Sequence, residues 1–244
     1  MKKNPGFILA AEAPHYFPAL SYFYKMAHAE IFVFADDLQF SKHAGMNRCQ
    51  IKTANGPERL TVPVRTKGRL GQKINAVEIL DENSWRRKHW QSLAANYRRA
   101  AYFEKYAEAL ENFFLQPRDN LADLNFAVLK WLCEILQIDC RLVRGLEMKT
   151  KACGSERIIA WAKALGGKIY FCEAREMQRL EREKFEAADI AIQAYEFVPP
   201  VCHQQFGAFA PNLSILDLIL NEGEESRRIL AGASGLLRRK EASQ

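Results

Sequence analysis

Short apolar runs alternate along this chain with longer segments whose apolar positions recur every three or four residues. Residues 6–11 form the first such run, and it predicts a buried strand. Pro14 and Pro18 bracket the loop that follows, because proline lacks a donor and restricts the residue before it. Residues 19–28 predict a helix with Leu20, Phe23 and Tyr24 on one side, and Glu30 to Phe34 predict a second buried strand. Strand, helix and strand within about 30 residues make a βαβ unit, which favours a parallel sheet.

Downstream, Cys49–Thr53 and Arg59–Val64 predict a hairpin turning at Asn55-Gly56, and Ile74–Leu80 a third strand beside it. Helices are expected over residues 85–97, 100–115 and 121–137, with Ser84 and Asp119 as N-caps. Arg141–Arg144 predicts a strand, Ser155–Leu165 a helix ended by Gly166-Gly167, and Lys168–Cys172 and Ala191–Phe197 two further strands. A last helix begins near Asn212, capped by Asn212 or Ser214. The expected fold class is α/β: a Rossmann-like parallel sheet flanked by helices, with an inserted β-hairpin and helical segment. A single domain is expected over residues 1–230, with the insertion at about 42–138 and a flexible basic tail over 231–244.

Composition narrows the classes. No apolar run approaches the roughly 20 residues needed to cross a bilayer. The early apolar run is interrupted by Glu12, so it reads as a strand rather than a signal, and a cytoplasmic protein is expected. Six cysteines without C-x-x-C spacing argue against a zinc ribbon and for reduced thiols. The net charge of +6 is mild, and acidic residues are interspersed through most of the chain. Nucleic-acid binding would want one basic face with aromatic platforms; a phosphate-bearing small substrate explains the modest excess equally well, and a solvated surface explains it with no function at all. The expected partner is a small anionic substrate, a nucleotide or sugar phosphate. Oligomeric state is not legible.

Candidate chemistry gathers at predicted strand and helix ends. The Pro14-His15-Tyr16-Phe17-Pro18 loop follows the first strand, where doubly wound sheets bind ligands. Asp36, Asp37, Gln39 and Lys42 follow the second. Two adjacent acids suit a base or Mg²⁺ held with substrate oxygens, although neighbours in extended backbone point to opposite faces. Arg48, beside Asn47, suits a bidentate clamp on phosphate or carboxylate, against an ordinary salt bridge. Arg86 and His89 share a helix face with Trp85. Ser155 and Arg157, like Ser214 and Asp217, stand at helix starts, where free amides attract anions and where plain capping is the alternative. The dispersed histidines argue against a three-imidazole metal site, and the cofactor is left open, with Mg²⁺ as one candidate.

These segments, taken in order, resemble the WbqC-like family. The matching pieces are Pro14-x-Tyr16-Phe17-Pro18-x-Leu20-x-Tyr22-Phe23, Val33 to Lys42, Asn47-Arg48, Leu60 to Val64, Gly71 to Ile74, Trp85 to His89, Gly154 to Arg157, Ala164 to Gly167 and Leu213 to Asp217. The resemblance implies a protein of bacterial surface-polysaccharide gene clusters, for which glycine or other amino-acyl transfer to a sugar has been suggested. The family's His-Gln ahead of the first proline is Glu12-Ala13 here, and its glycine-rich turn after a late strand is Glu173-Ala174-Arg175. If relatives use that histidine, this chain uses His15, has changed its chemistry or has lost it. A looser similarity, to pantothenate synthetase and the nucleotidylyltransferase-like fold, places His15 and Ser214 near nucleotide phosphates.

The expected function is therefore a transferase of sugar or nucleotide-activated substrates in O-antigen or related polysaccharide biosynthesis. Asp37, Glu12 and His15 carry the catalytic expectation. Tyr16, Asp36, Gln39, Lys42, Asn47, Arg48, Arg86, His89, Ser155, Arg157, Ser214 and Asp217 carry the substrate-binding one. The alternative is a non-catalytic binding or assembly protein of the same pathway, with a partner groove lined by Tyr16, Phe17, Tyr22 and Phe23.

Overall fold

The computed structural model describes residues 6–233 except His43 and Asn83; the tail expected to be flexible lies, from residue 234 on, outside the described residues. Five parallel strands form the main sheet: β1 (Phe7–Glu12), β2 (Ile31–Phe34), β5 (Arg141–Arg144), β6 (Gly167–Glu173) and β7 (Ala191–Tyr195), in the order β5-β2-β1-β6-β7. The hairpin strands β3 (Arg48–Thr53) and β4 (Gly56–Thr61) form a separate antiparallel pair. The chain winds outward from β1 through β2 to β5, then crosses back to place β6 on the other side of β1. That reversal opens a crevice at the carboxyl ends of β1 and β6.

Both faces of the sheet are covered, which is why the central strands read as continuous apolar runs. Successive side chains of a strand alternate between faces. Leu9, Ala11, Ile31, Val33, Tyr170 and Cys172 pack with α5 (Gly154–Leu165) and α7 (Arg182–Ala187) on one face. Ala10, Phe32, Phe34, Phe171 and Tyr195 face the larger core. That core includes α1 (Leu20–Ala27), the hairpin, α2 (Trp85–Tyr97), α3 (Phe103–Leu115), α4 (Leu121–Leu136), α8 (Ile215–Glu222) and α9 (Ser226–Ala231).

Several local expectations are corrected. Thr53 pairs with Gly56, so the hairpin turns on Ala54-Asn55, with Gly56 at φ +99° opening β4. Residues 74–80 make a 3-10 turn (Ile74–Ala76) and isolated bridges at Glu78 and Ile79 instead of a strand. Ser84 is left-handed at φ +50° and caps nothing with its side chain. Asn120, not Asp119, caps α4, accepting from the amides of Ala122 and Asp123. The short helices α6 (Ala174–Met177) and α7 had no expectation. Ser214 does cap α8, accepting from the Leu216 amide at 3.2 Å.

Candidate functional site

At the crevice between β1 and β6 lies a cavity of about 670 Å³. Glu12 and Ala13 end β1 there, and Ala35 and Leu38 follow β2. Gly154, Ser155 and Arg157 open α5, while Arg175, Glu176 and Arg179 follow β6. A helix crossing from one parallel strand to the next begins at the carboxyl edge, so α5 directs its first-turn amides and the positive end of its dipole toward this space. No side chain caps that terminus.

The acidic side of the cavity is built around Lys25. This lysine sits on the buried face of α1 with 2% of its surface exposed. Its ammonium donates to Glu12 Oε2 at 2.5 Å and to Glu176 Oε1 at 2.6 Å. Glu176 Oε1 also accepts the Glu173 amide at 3.2 Å, within the capping box that opens α6. A lysine cannot be buried unpaired without giving up its proton, and two carboxylates hold it charged, well above the ordinary lysine value despite desolvation. The two acids are driven apart. Burial raises Glu176, and the neighbouring Glu12 charge adds to it against the pull of Lys25. Burial acts on Glu12 too, but Lys25 and His15 outweigh it and leave that carboxyl lowered. Paired carboxyls separated in this way can divide proton-accepting and charge-stabilising roles.

The basic side comprises three arginines. Arg157 is fixed by its Nε donating to Ala152 O at 2.8 Å, by Asp37 Oδ2 at 3.6 Å and by the Trp161 ring 5.9 Å away. Arg175 pairs with Glu173, and Arg179 has no carboxylate partner among the described residues. Trp161 lines the same space, and its buried Nε1–H has no acceptor among the described residues.

The adjacent acids part company. Asp36 is fully buried; its Oδ2 accepts from Arg144 Nε at 2.6 Å and its Oδ1 from the Leu146 amide at 2.9 Å, tying β2 to the end of β5. Asp37 keeps one buried oxygen, Oδ1, without a partner among the described residues. Gly145 passes so close that an added Cβ would stand 2.6 Å from that oxygen. Among the described residues no group of three or more His, Cys, Asp or Glu is placed to hold a metal ion.

The remaining expected site residues fall elsewhere. His15, Tyr16, Arg48 and Ser214 line a second, smaller cleft of about 230 Å³. His15 stands at its border with the cavity, where it feels Glu12, Lys25 and Arg175; burial holds its imidazole below the ordinary value. Gln39 and Lys42 line a third cleft with Arg69 and Gln72. Asn47 is buried, donating to Val62 O at 2.8 Å. Arg86 lies against Trp85 and binds Asp81 and the Arg118 carbonyl. His89 is buried against Tyr16, with His89 Nδ1 and Tyr16 Oη hydrogen bonded at 3.0 Å, and desolvation lowers it to about 4. Asp217 accepts from Tyr97 Oη at 2.8 Å inside the core.

The loop between β1 and α1 is a packed staple. Phe17 takes φ +40°, a conformation unfavourable for a bulky residue, and is held there against Tyr16, Phe113 and Phe114. Tyr16, Phe17, Tyr22 and Phe23 are all buried, so the groove expected to receive a partner is filled by the protein's own core. Lys25 and Glu176 are functional candidates that sequence reasoning does not single out. The signals available for them are a lysine within the apolar helix Leu20–Ala27 and an acid directly after Glu173-Ala174-Arg175.

Among the described residues no helix is long and apolar enough to cross a membrane. No solved structure gives a significant match to the chain. The uncharacterized protein Rv1507c of Mycobacterium tuberculosis is 31% identical over 214 residues, covering 87% of this chain and 92% of that protein. The profile of the WbqC-like protein family matches residues 13–229, and the chain belongs to that family.

Proposed function

We propose that this protein is a transferase that binds an activated anionic substrate, a nucleotide or sugar phosphate, in the cavity between β1 and β6. The observation that carries the reading is the composition of that cavity: a guanidinium-lined, amide-rich wall faces a pair of carboxyls whose proton affinities are set apart. Arg157, Arg179 and the α5 amides neutralise the phosphate, and Asp37 holds Arg157 in place. Glu176 accepts the proton of the acceptor's nucleophile as its bond to the activated carbon forms; the phosphate-bearing group leaves with the bonding electron pair. Glu12 and Lys25 keep Glu176 positioned. Family membership supports a place in surface-polysaccharide biosynthesis, with an amino-acyl or glycyl group as one candidate for transfer.

Thermal melting against a panel of nucleotides, nucleotide sugars and sugar phosphates tests this. The expected result is a ligand-dependent rise in melting temperature that Arg157→Gln and Arg179→Gln each remove while Glu176→Gln keeps. A panel with no shift, or shifts indifferent to both arginine variants, overturns it. The second reading, a non-catalytic assembly protein, draws support from the exposed Val198, Val201, Phe206 and Phe209 of the loop before α8. Stable binding to a pathway protein with no response to any ligand in the panel favours it.

A further inference from the structure

We propose that the second cleft is a separate oxyanion site, built by Arg48 and Arg59 of the hairpin and closed by His15, and that it takes a phosphate group as a second ligand. The inference does not rest on the transferase reading, because it concerns a different space.

The hairpin register makes the site. Gln50 stands opposite Arg59, and Arg48 is two residues before Gln50 on the same strand. Cross-strand partners share a face, as do positions two apart, so Arg48, Gln50 and Arg59 project together. The other face, with Cys49, Ile51 and Leu60, is buried in the core, so the register cannot slip without exposing it. The opposite wall of the cleft comes from the loop His15–Ala19 and from Asn212 and Ser214 ahead of α8.

The charge in this space is uncompensated. Arg65, Arg69, Arg86, Arg144, Arg157, Arg175 and Arg228 all have carboxylate partners. Among the described residues Arg48 and Arg59 have none, and no acid lines the cleft. Arg48 Nε is shielded from solvent and has no acceptor among the described residues. A buried guanidinium N–H without an acceptor is costly unless something supplies one. The neighbouring helix terminus does not account for the site. The Ser214 amide donates to Gln50 O at 2.8 Å and the Ile215 amide to Pro18 O at 2.9 Å, so those donors are already used. Recognition therefore falls to two guanidiniums, whose planar fork matches a tetrahedral oxyanion. A volume near 230 Å³ suits one phosphate group with a small substituent rather than a whole nucleotide.

The test is a titration of the full-length protein with inorganic phosphate and, in a second arm, methyl phosphate, at constant ionic strength held with NaCl. NMR signals of the Arg48 Nε–H and the His15 imidazole are followed. Saturable shifts with either ligand are expected, and the arm that binds more tightly tells free phosphate from a phosphate monoester. Arg48→Gln and Arg59→Gln should each weaken binding at least about tenfold, as loss of a charge-assisted contact implies, and Arg157→Gln should leave it unchanged. Arg59 is exposed, so its variant decides the matter if Arg48→Gln does not fold. Linear, non-saturating shifts in both arms, affinity unchanged in Arg59→Gln, or equal loss in Arg157→Gln overturns the proposal.

Discussion

The ammonium of Lys25 lies 2.6 Å from Glu176 Oε1, joining the first helix to the turn after β6 across 151 positions of sequence. Glu12 completes the triad from the end of β1. Two consecutive segments and a third remote from them in the chain thus meet at one charge, and removing that charge has a definite consequence.

Lys25→Met leaves two carboxylates facing each other without their cation. The expected loss is about 3 kcal/mol at pH 7, the scale for breaking a buried pair. In the variant the folded carboxyls share a raised proton affinity. Their protonation then favours the folded state below the unfolded carboxyl value, and that benefit disappears as pH rises through the folded one. The deficit relative to the parent should therefore shrink between pH 7 and pH 5 in urea denaturation. A deficit that stays constant across that range contradicts the triad.

Glu176→Gln separates chemistry from structure. Lys25 keeps Glu12, and the glutamine oxygen still accepts from it, so stability should change by less than about 1 kcal/mol. Turnover of whichever substrate the ligand panel identifies should fall by about 10²-fold or more, the usual contribution of a positioned base. Normal turnover in a folded Glu176→Gln protein would remove Glu176 from the mechanism.

Asp217 belongs to the core. Burial raises its carboxyl to about 6, with Tyr97 as its hydrogen-bond donor. Because the folded value lies above the unfolded one, its contribution is full below about pH 4 and is lost as pH rises through 6. Asp217→Asn should flatten stability between pH 5 and pH 8, recovering up to about 3 kcal/mol at the alkaline end. Tyr97→Phe should instead cost about 1–3 kcal/mol, since it orphans both Asp217 Oδ1 and the Lys52 amide, 2.8 Å from the phenol oxygen. Chemical denaturation across pH measures both.

Ser214→Ala tests cap against ligand contact. Loss of the cap should cost about 1 kcal/mol. Phosphate affinity of the second cleft should be unchanged, because the guanidiniums carry it. A tenfold loss of phosphate affinity with unaltered stability would reverse that assignment.

Much of the frame was legible in sequence because it depends on local rules. The apolar runs Phe7–Ala11 and Ile31–Phe34 read as strands from their short length and their β-branched and aromatic content, and most of their residues are buried within the sheet. Gly166, at φ +75°, ends α5 where two glycines stood. The carboxyl edge as the expected place for ligands followed from that frame. Within it, Glu12, Ser155 and Arg157 do line the cavity, while His15, Arg48 and Ser214 gather in the neighbouring cleft.

What sequence by itself determined, then, is the alternation of strands and helices, the family, and the edge on which polar residues collect. Periodicity and capping act over a few residues and leave their mark in order along the chain. Which polar residues meet, and which are spent on the fold, was decided only by tertiary structure. Asp36 and Asp37 are neighbours in sequence yet bind different arginines, from β5 and α5. Lys25 sits in an apolar helix as an apparent misfit until β1 and β6 bring Glu12 and Glu176 to it. The physical reason is that a buried charge needs a partner in space, and the order β5-β2-β1-β6-β7, not spacing along the chain, sets where that partner comes from.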